Sequence, residues 1–199
     1  MVKTVKVCIV NFSGRKNGNC HDTAKFVEQA LTPEHEVNLF EMCNLKIAPC
    51  GKCDYECFYR DKKCPYADDD AFSVYHAVCA ADLVYYIVPN YIEYPNAYFF
   101  TFNERKQGFF APGTNINLIE AYINAAKKFI VVSNTEQDNF KQILNRHVAE
   151  GDDTNFLFMS TSHFDKGNAR GGMMTSDRAK QQVGDFVKNA YKTGCAAQL

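Results

Sequence analysis

The strongest constraint on this chain is an alternation of short apolar runs with stretches whose apolar residues recur every three or four positions. Residues 5–11 form a compact apolar run suited to a strand buried on both faces; after a polar loop, Thr23, Phe26, Val27, Ala30 and Leu31 return at helical spacing. Residues 36–40 read as a second strand. Asp68, Asp69 and Asp70 place negative charge at the start of a helix, where it is favourable, and the expected buried stripe is Ala71, Val74, Val78 and Cys79. Residues 82–89 make an aromatic, β-branched third strand ending in a Pro-Asn-Tyr turn. Helices are expected at 96–104, 117–125 and 137–149, and strands at 128–133 and 155–160. Ser176 can cap a last helix, whose Ala179, Val183, Phe186, Val187 and Ala190 repeat at three and four. Five strands alternating with helices predict an α/β fold with a parallel sheet covered on both faces.

With 199 residues the chain can bury one good core, so the expectation is a single domain over 1–199 with a cysteine-rich insertion at about 43–67. The formal net charge of −1 gives no electrostatic case for nucleic acid or anionic lipid. No apolar run approaches the roughly 20 residues that span a bilayer, and the N-terminus lacks a secretory pattern. Nine cysteines, an odd number, suit a reducing compartment better than a full disulfide framework, so the expected location is cytoplasmic. Cys8 and Cys79 read as core residues. Small molecules are the expected partners.

Between the first strand and first helix lies NFSGRKNGNC (residues 11–20), which has neither the GxxxxGK[S/T] of nucleotide triphosphatases nor the GxGxxG of dinucleotide folds. It nevertheless suits a phosphate. Ser13 can donate a hydroxyl, Gly14 and Gly18 permit tight backbone turns, and the amides of Asn17, Gly18, Asn19 and Cys20 open a helix at its positive dipole end. Arg15 and Lys16 add charge at the rim.

Cys50, Cys53, Cys57 and Cys64 crowd into fifteen residues at C-x2-C-x3-C-x6-C spacing. Thiolates so spaced can converge on a [4Fe-4S] cluster, on zinc, or pair as disulfides; they can also remain free thiols in a loop. Cys64-Pro65 echoes the Cys-Pro of bacterial ferredoxins, whereas zinc usually takes two short knuckles and here only Cys50 and Cys53 form one. His76 and His163 are substitute ligands by type, although a helix-face or loop role is the commoner one. The acidic triplet at 68–70 reads as a helix start rather than a cation site.

SGRKNGNC (residues 13–20) resembles the S-x-R-x-x-[S/G]-N-T phosphate loop of flavodoxin-like NAD(P)H-dependent FMN reductases. IAPCGKC (47–53), followed by Cys57, Cys64-Pro65 and Asp68-Asp69-Asp70, resembles the P-C-x-x-C-x-x-C…C-x-x-x-D-D signature of the iron-sulfur flavoprotein branch. The likeness covers roughly the first half of the chain. Cys20 stands where the family usually has threonine, and three residues rather than two separate Cys53 from Cys57. The resemblance implies a flavodoxin-like, doubly wound five-stranded sheet in the order 2-1-3-4-5, with FMN outside the carboxyl ends of the strands. It implies phosphate contacts from Ser13, Arg15, Asn17, Gly18, Asn19 and Cys20. The ring is then expected near Pro89, Asn90, Tyr91, Ile92, Tyr94 and Asn96, with Ser133, Asn134 and Thr135 on the far side. Cys50, Cys53, Cys57 and Cys64 would ligate a [4Fe-4S] cluster.

The expected activity is therefore FMN-dependent oxidoreduction, in which reducing equivalents come from NAD(P)H or a redox partner and pass to a small acceptor such as a flavin or quinone. The flavin does the chemistry, so no catalytic side chain is named. The alternatives are a non-catalytic iron-sulfur flavoprotein carrier between protein partners, and a zinc-stabilised binding module without flavin. The aromatic run YFFTF (98–102), apolar nearly all round its helix, implies burial against the insertion or another subunit, and with the resemblance a homodimer or homotetramer. Met173 and Met174 read as loop packing.

Overall fold

The structure is a computed structural model that describes residues 4–51, 53–134, 140, 144, 153–164 and 170–196. Its strands are β1 (Lys6–Asn11), β2 (Glu36–Glu41), β3 (Leu83–Tyr91), β4 (Tyr94–Pro95), β5 (Ala126–Ser133) and β6 (Phe156–Ser160). Its described helices are α1 (Asn19–Leu31), α2 (Asp70–Ala80), α3 (Ala97–Phe109), α4 (Ile116–Asn124) and α5 (Asp177–Ala196). The parallel strands run β2-β1-β3-β5-β6, and β4 is a two-residue antiparallel addition to β3. Leaving β4 out of the count, this is the expected 2-1-3-4-5 order.

Strand periodicity divides the core in two. Leu83, Tyr85 and Ile87 of β3, with Val7 and Ile9 of β1, face α1 and α5 and meet Val27, Leu31, Val183 and Val187. Val84, Tyr86 and Val88, with Cys8 and Val10, face the other way onto Val74, Tyr75, Phe102 and Phe109 of α2 and α3. Each fully buried side chain of this kind contributes about 1.5–3 kcal/mol relative to exposure, which is why the middles of the central strands, residues 7–10, 83–89 and 129–132, read as unbroken apolar runs. No described helix is long and apolar enough to cross a membrane.

Four local expectations change. The third strand does not turn at Pro89. It continues to Tyr91, and the reversal falls at Ile92 and Glu93, both with positive φ (50° and 66°), closing a two-residue hairpin that pairs Tyr91 with Tyr94. Pro89 is tolerated because β1 has already ended opposite Ile87, leaving only β5 beside it. In α2 the buried stripe is Ala71, Val74, Tyr75 and Val78, while Cys79 is half-buried with its thiol towards the Leu118 carbonyl (3.4 Å). Tyr75 goes inside because its hydroxyl finds a partner there, the carbonyl of Phe102. The helix α3 runs to Phe109, and its aromatic run is not buried all round: Phe99 and Phe102 are inside, and Phe100 is 46 % exposed. The helix expected at 137–149 lies outside the described residues, except that Phe140 and Leu144 are helical and buried. Met173 and Met174 pack into the core, as expected of the loop before α5.

Candidate functional site

A cleft opens at the carboxyl ends of β1, β3 and β5, where the connections leave to opposite faces of the sheet, and it encloses about 50 Å³. Ser13, Arg15, Asn17, Gly18, Asn19 and Cys20 line one side. Pro89, Asn90 and Tyr91 line another, with Val132 and Asn134 closing it. Ten residues expected from the sequence thus meet there. Val132 was not among them, because its apolar side chain carries no chemical signal.

The loop is built by its own polar side chains. Asn11, fully buried, accepts from the Ser13 amide (3.0 Å), and the Ser13 hydroxyl accepts from the Arg15 amide (3.1 Å), so the turn is set before any ligand arrives. Asn11 Nδ2 donates to Glu41 Oε2 (2.6 Å), and Glu41 Oε1 meets His21 Nδ1 (3.0 Å), tying the loop to β2 and α1. Gly18 caps α1 at φ 125°, ψ −177°, a region essentially reserved for glycine. Gly18→Ala is therefore expected to cost about 1–3 kcal/mol of stability, read from the urea midpoint. At Gly14 an added Cβ would stand 3.0 Å from the Tyr98 ring, which lies against the loop.

One tie was not legible in the sequence. Asn19 Oδ1 accepts from the Met173 amide (3.0 Å), and a Cβ at Gly171 (φ 142°) would stand 3.7 Å from Gly18 Cα, so the segment before α5 is stitched onto the start of α1. The Gly171-Gly172 pair was its only signal.

The cleft suits an anion with an uncharged lining beside it. Burial, with Glu41 and Asp22 adding to it and Arg15 opposing, pushes the Cys20 thiol up to about 12, so it stays neutral beside an anion. Asn90 Nδ2 donates to Ser133 Oγ (3.3 Å), while the buried Asn90 Oδ1 has no partner among the described residues. An orphaned buried acceptor costs about 1–3 kcal/mol, which a donor on a ligand in the cleft would recover.

Other expected residues sit differently. Asn96 caps α3 by accepting from the Phe99 amide (3.3 Å) and donates to the Phe12 carbonyl (2.5 Å), so it braces the loop from behind. Ser133 stands behind Asn90. Ile92 and Tyr94, 87 % and 60 % exposed, project from the hairpin tip. Asn134 Oδ1 accepts from Thr161 (3.1 Å). Thr135 lies outside the described residues.

The cysteine segment leaves and rejoins the fold at one buried cation. Arg105 of α3, fully buried, donates to the carbonyls of Ala48 and Tyr66 (both 2.8 Å) and pairs with Asp69. Asp69 in turn accepts from the amides of Ala48 (3.1 Å) and Ala71 (3.0 Å), so the acidic triplet is a helix start, as read, and also a latch. Sequence reasoning missed Arg105 because a lone arginine fifty residues downstream gives no pattern. Cys50 is exposed, and Cys53, Cys57 and Cys64 are half-buried; among the described residues no three His, Cys, Asp or Glu side chains gather to hold a metal. The expected ligand shell is thus not formed here. His76 packs edge-on against Phe109 (4.9 Å between ring centroids).

No family model matches the chain, and no curated protein matches its sequence. Solved structures match its fold. RosB with bound 8-demethyl-8-formylriboflavin-5'-phosphate superposes at a TM-score of 0.69 with 12% identity, over 98% of this chain and 81% of that one. The Trp repressor binding protein of Bacillus subtilis gives 0.59 with 13% identity over 91% and 99%. An NAD(P)H:quinone oxidoreductase from Methanothermobacter marburgensis gives 0.55 with 13% identity over 99% and 98%. With the strand order, these likenesses give the chain a flavodoxin-like fold.

Proposed function

We propose, from the flavodoxin-like fold, that the chain is an FMN-dependent oxidoreductase, taking reducing equivalents from NAD(P)H or a redox partner and passing them to a small acceptor such as a flavin or quinone. The observation that carries this reading is the cleft itself: a helix-opening loop with a preset turn faces an orphaned buried acceptor across the carboxyl edge of the sheet. RosB, similar in fold, holds a riboflavin phosphate derivative, and the other likenesses include an NAD(P)H:quinone oxidoreductase.

The residues present fit FMN. The amides of Gly18, Asn19 and Cys20, with Ser13 and Arg15, would hold its phosphate at the positive end of α1. Asn90, Tyr91 and Pro89 would border the ring, with Asn90 Oδ1 accepting from it and Asn134 opposite. When bound, the flavin supplies hydride and electron transfer. The chain's part is to orient it, to exclude water with Tyr91 and Val132, and to keep the neutral Cys20 thiol, not a carboxylate, beside the phosphate. Denaturing the purified protein and weighing the released cofactor is expected to give FMN rather than FAD, since no second glycine fingerprint is present for an adenosine pyrophosphate. Release of FAD, or no uptake of FMN on reconstitution, overturns the reading.

A homodimer is part of the proposal, supported by exposed apolar side chains on Phe100 of α3 and on Ile92 and Tyr94 of the hairpin that follows Tyr91. Eight free thiols among the described residues suit a reducing compartment such as the cytoplasm. The second reading is an iron-sulfur electron carrier. Four thiols on one latched loop favour it, but they do not stand as a ligand shell, so no step is routed through a cluster. Iron and sulfide content of anaerobically prepared protein decides between the two.

A further inference from the structure

The far end of α3 carries a hollow that the flavin reading leaves unused. Its volume is about 280 Å³, and it lies between the returning limb of the cysteine segment and the turn after α3. Arg60, Lys62, Lys63 and Cys64 line one wall, Phe109 and Pro112 part of the other, and no carboxylate among the described residues faces it. The three basic side chains are exposed, so they are available to a solute.

Cys64 is placed with care. A Cβ at Gly108 would stand 2.8 Å from its sulfur, so the helix gives up a side chain where the sulfur sits. One turn earlier, Arg105 brings Nη2 to 4.0 Å from the same sulfur. The remaining thiols are on the same loop, and burial, with Cys64 and Cys53 adding to it, pushes the Cys50 and Cys57 thiols up, so they rest largely neutral until one reacts. All four are free. A sulfur facing a small-molecule-sized, cation-walled hollow, with further thiols on the same latched loop, is arranged for exchange with a solute. It is not arranged as a shared metal shell.

We propose that this hollow is a thiol–disulfide exchange site for a small anionic disulfide, with Cys64 the attacking sulfur and a neighbouring loop cysteine the resolving one. The Cys64 thiolate attacks one sulfur of the bound disulfide, forming a mixed disulfide and releasing one small thiolate. A second loop thiolate then attacks Cys64, closing a protein disulfide and releasing the other small thiolate. Two protein thiols are oxidised, one disulfide is reduced to two thiols, and the two protons lost by the cysteines end on the leaving thiolates. Arg60, Lys62 and Lys63 hold the anionic groups of the small molecule and do not take part in bond making.

The test uses the full chain, reduced and freed of reductant, with glutathione disulfide as the anionic probe and cystamine as a cationic disulfide of the same reactivity class. Released thiol is followed with time, and the products are located by peptide mass. The expected result is a protein disulfide that includes Cys64, formed with release of two glutathione thiols. Cys64→Ser should slow the reaction at least about tenfold, and the double variant Lys62→Glu/Lys63→Glu should slow glutathione disulfide about tenfold while leaving cystamine as fast or faster. Because Lys62 and Lys63 are exposed, that variant keeps the test valid if Cys64→Ser does not fold. Wild-type rates in Cys64→Ser, equal effects of the charge change on both probes, or stoichiometric iron or zinc that shields these thiols in the purified protein would each overturn the proposal. The site does not depend on flavin, so the rates should be the same with and without FMN, and a failure to bind FMN would leave this result standing.

Discussion

Asn19→Asp is expected to raise the dissociation constant for FMN roughly 30- to 150-fold. The substitution changes one amide for a carboxylate at the first residue of α1, inside the cleft and 7 % exposed. A like charge within a few ångströms of a bound phosphate, at the intermediate effective dielectric of a partly buried site, costs about 2–3 kcal/mol. The fold should tolerate it, because aspartate can still accept from the Met173 amide as Asn19 Oδ1 does. The loss should therefore appear in a flavin fluorescence titration and not in the melting temperature of the cofactor-free protein. An unchanged dissociation constant would place the phosphate elsewhere.

Arg105→Met is expected to be the most destabilising single change outside the core strands. It leaves the Asp69 carboxylate, 15 % exposed, without its cation, and it frees the carbonyls of Ala48 and Tyr66 at the two ends of the cysteine segment. Breaking a buried pair by removing one partner costs about 3–5 kcal/mol, which for a chain of this size lowers Tm by roughly 6–20 °C. Cleavage by a low level of trypsin within the cysteine segment should speed up, since both ends of the loop are released together. Adding Asp69→Asn, which removes the stranded charge and keeps the cap on Ala71, should recover about half of the loss, leaving the orphaned carbonyls. A melting temperature within about 2 °C of wild type for Arg105→Met would show that the latch does not hold the segment.

Much of the fold was legible because the strands are buried on both faces. Within them residues 7–10, 83–89 and 129–132 are apolar without interruption, and that pattern has few readings other than a central parallel strand. The loop before α1 was legible for a similar reason: Ser13, Gly14, Gly18 and Asn19 are local in sequence, and the turn is held by bonds between residues two apart. The misreadings lay where tertiary contacts outvoted local signals. Pro89-Asn90 carries turn chemistry, yet β5 reaches Pro89 and β4 pairs with Asn90, so both stay in the strand and the reversal is forced onto Ile92 and Glu93 at positive φ. Cys79 fits the helical stripe by spacing, but Tyr75 takes the interior because the Phe102 carbonyl and the stacked Phe102 ring (4.4 Å between centroids) await it.

By itself the sequence determined the alternation of elements, the two-faced sheet, the polar glycine-containing loop before the first helix and the placing of four thiols on one segment, because each of these is written in residues close along the chain. The tertiary structure alone decided what long-range pairing controls. It brought Met173 to Asn19 across 154 positions, set Arg105 between Ala48 and Asp69, seated Cys64 on Gly108, and left Asn90 Oδ1 in the cleft without a partner among the described residues. The physical reason is that a buried polar group or a close backbone approach is satisfied by whichever residue the packing delivers, and packing is set by the whole sheet, beyond the reach of any local spacing.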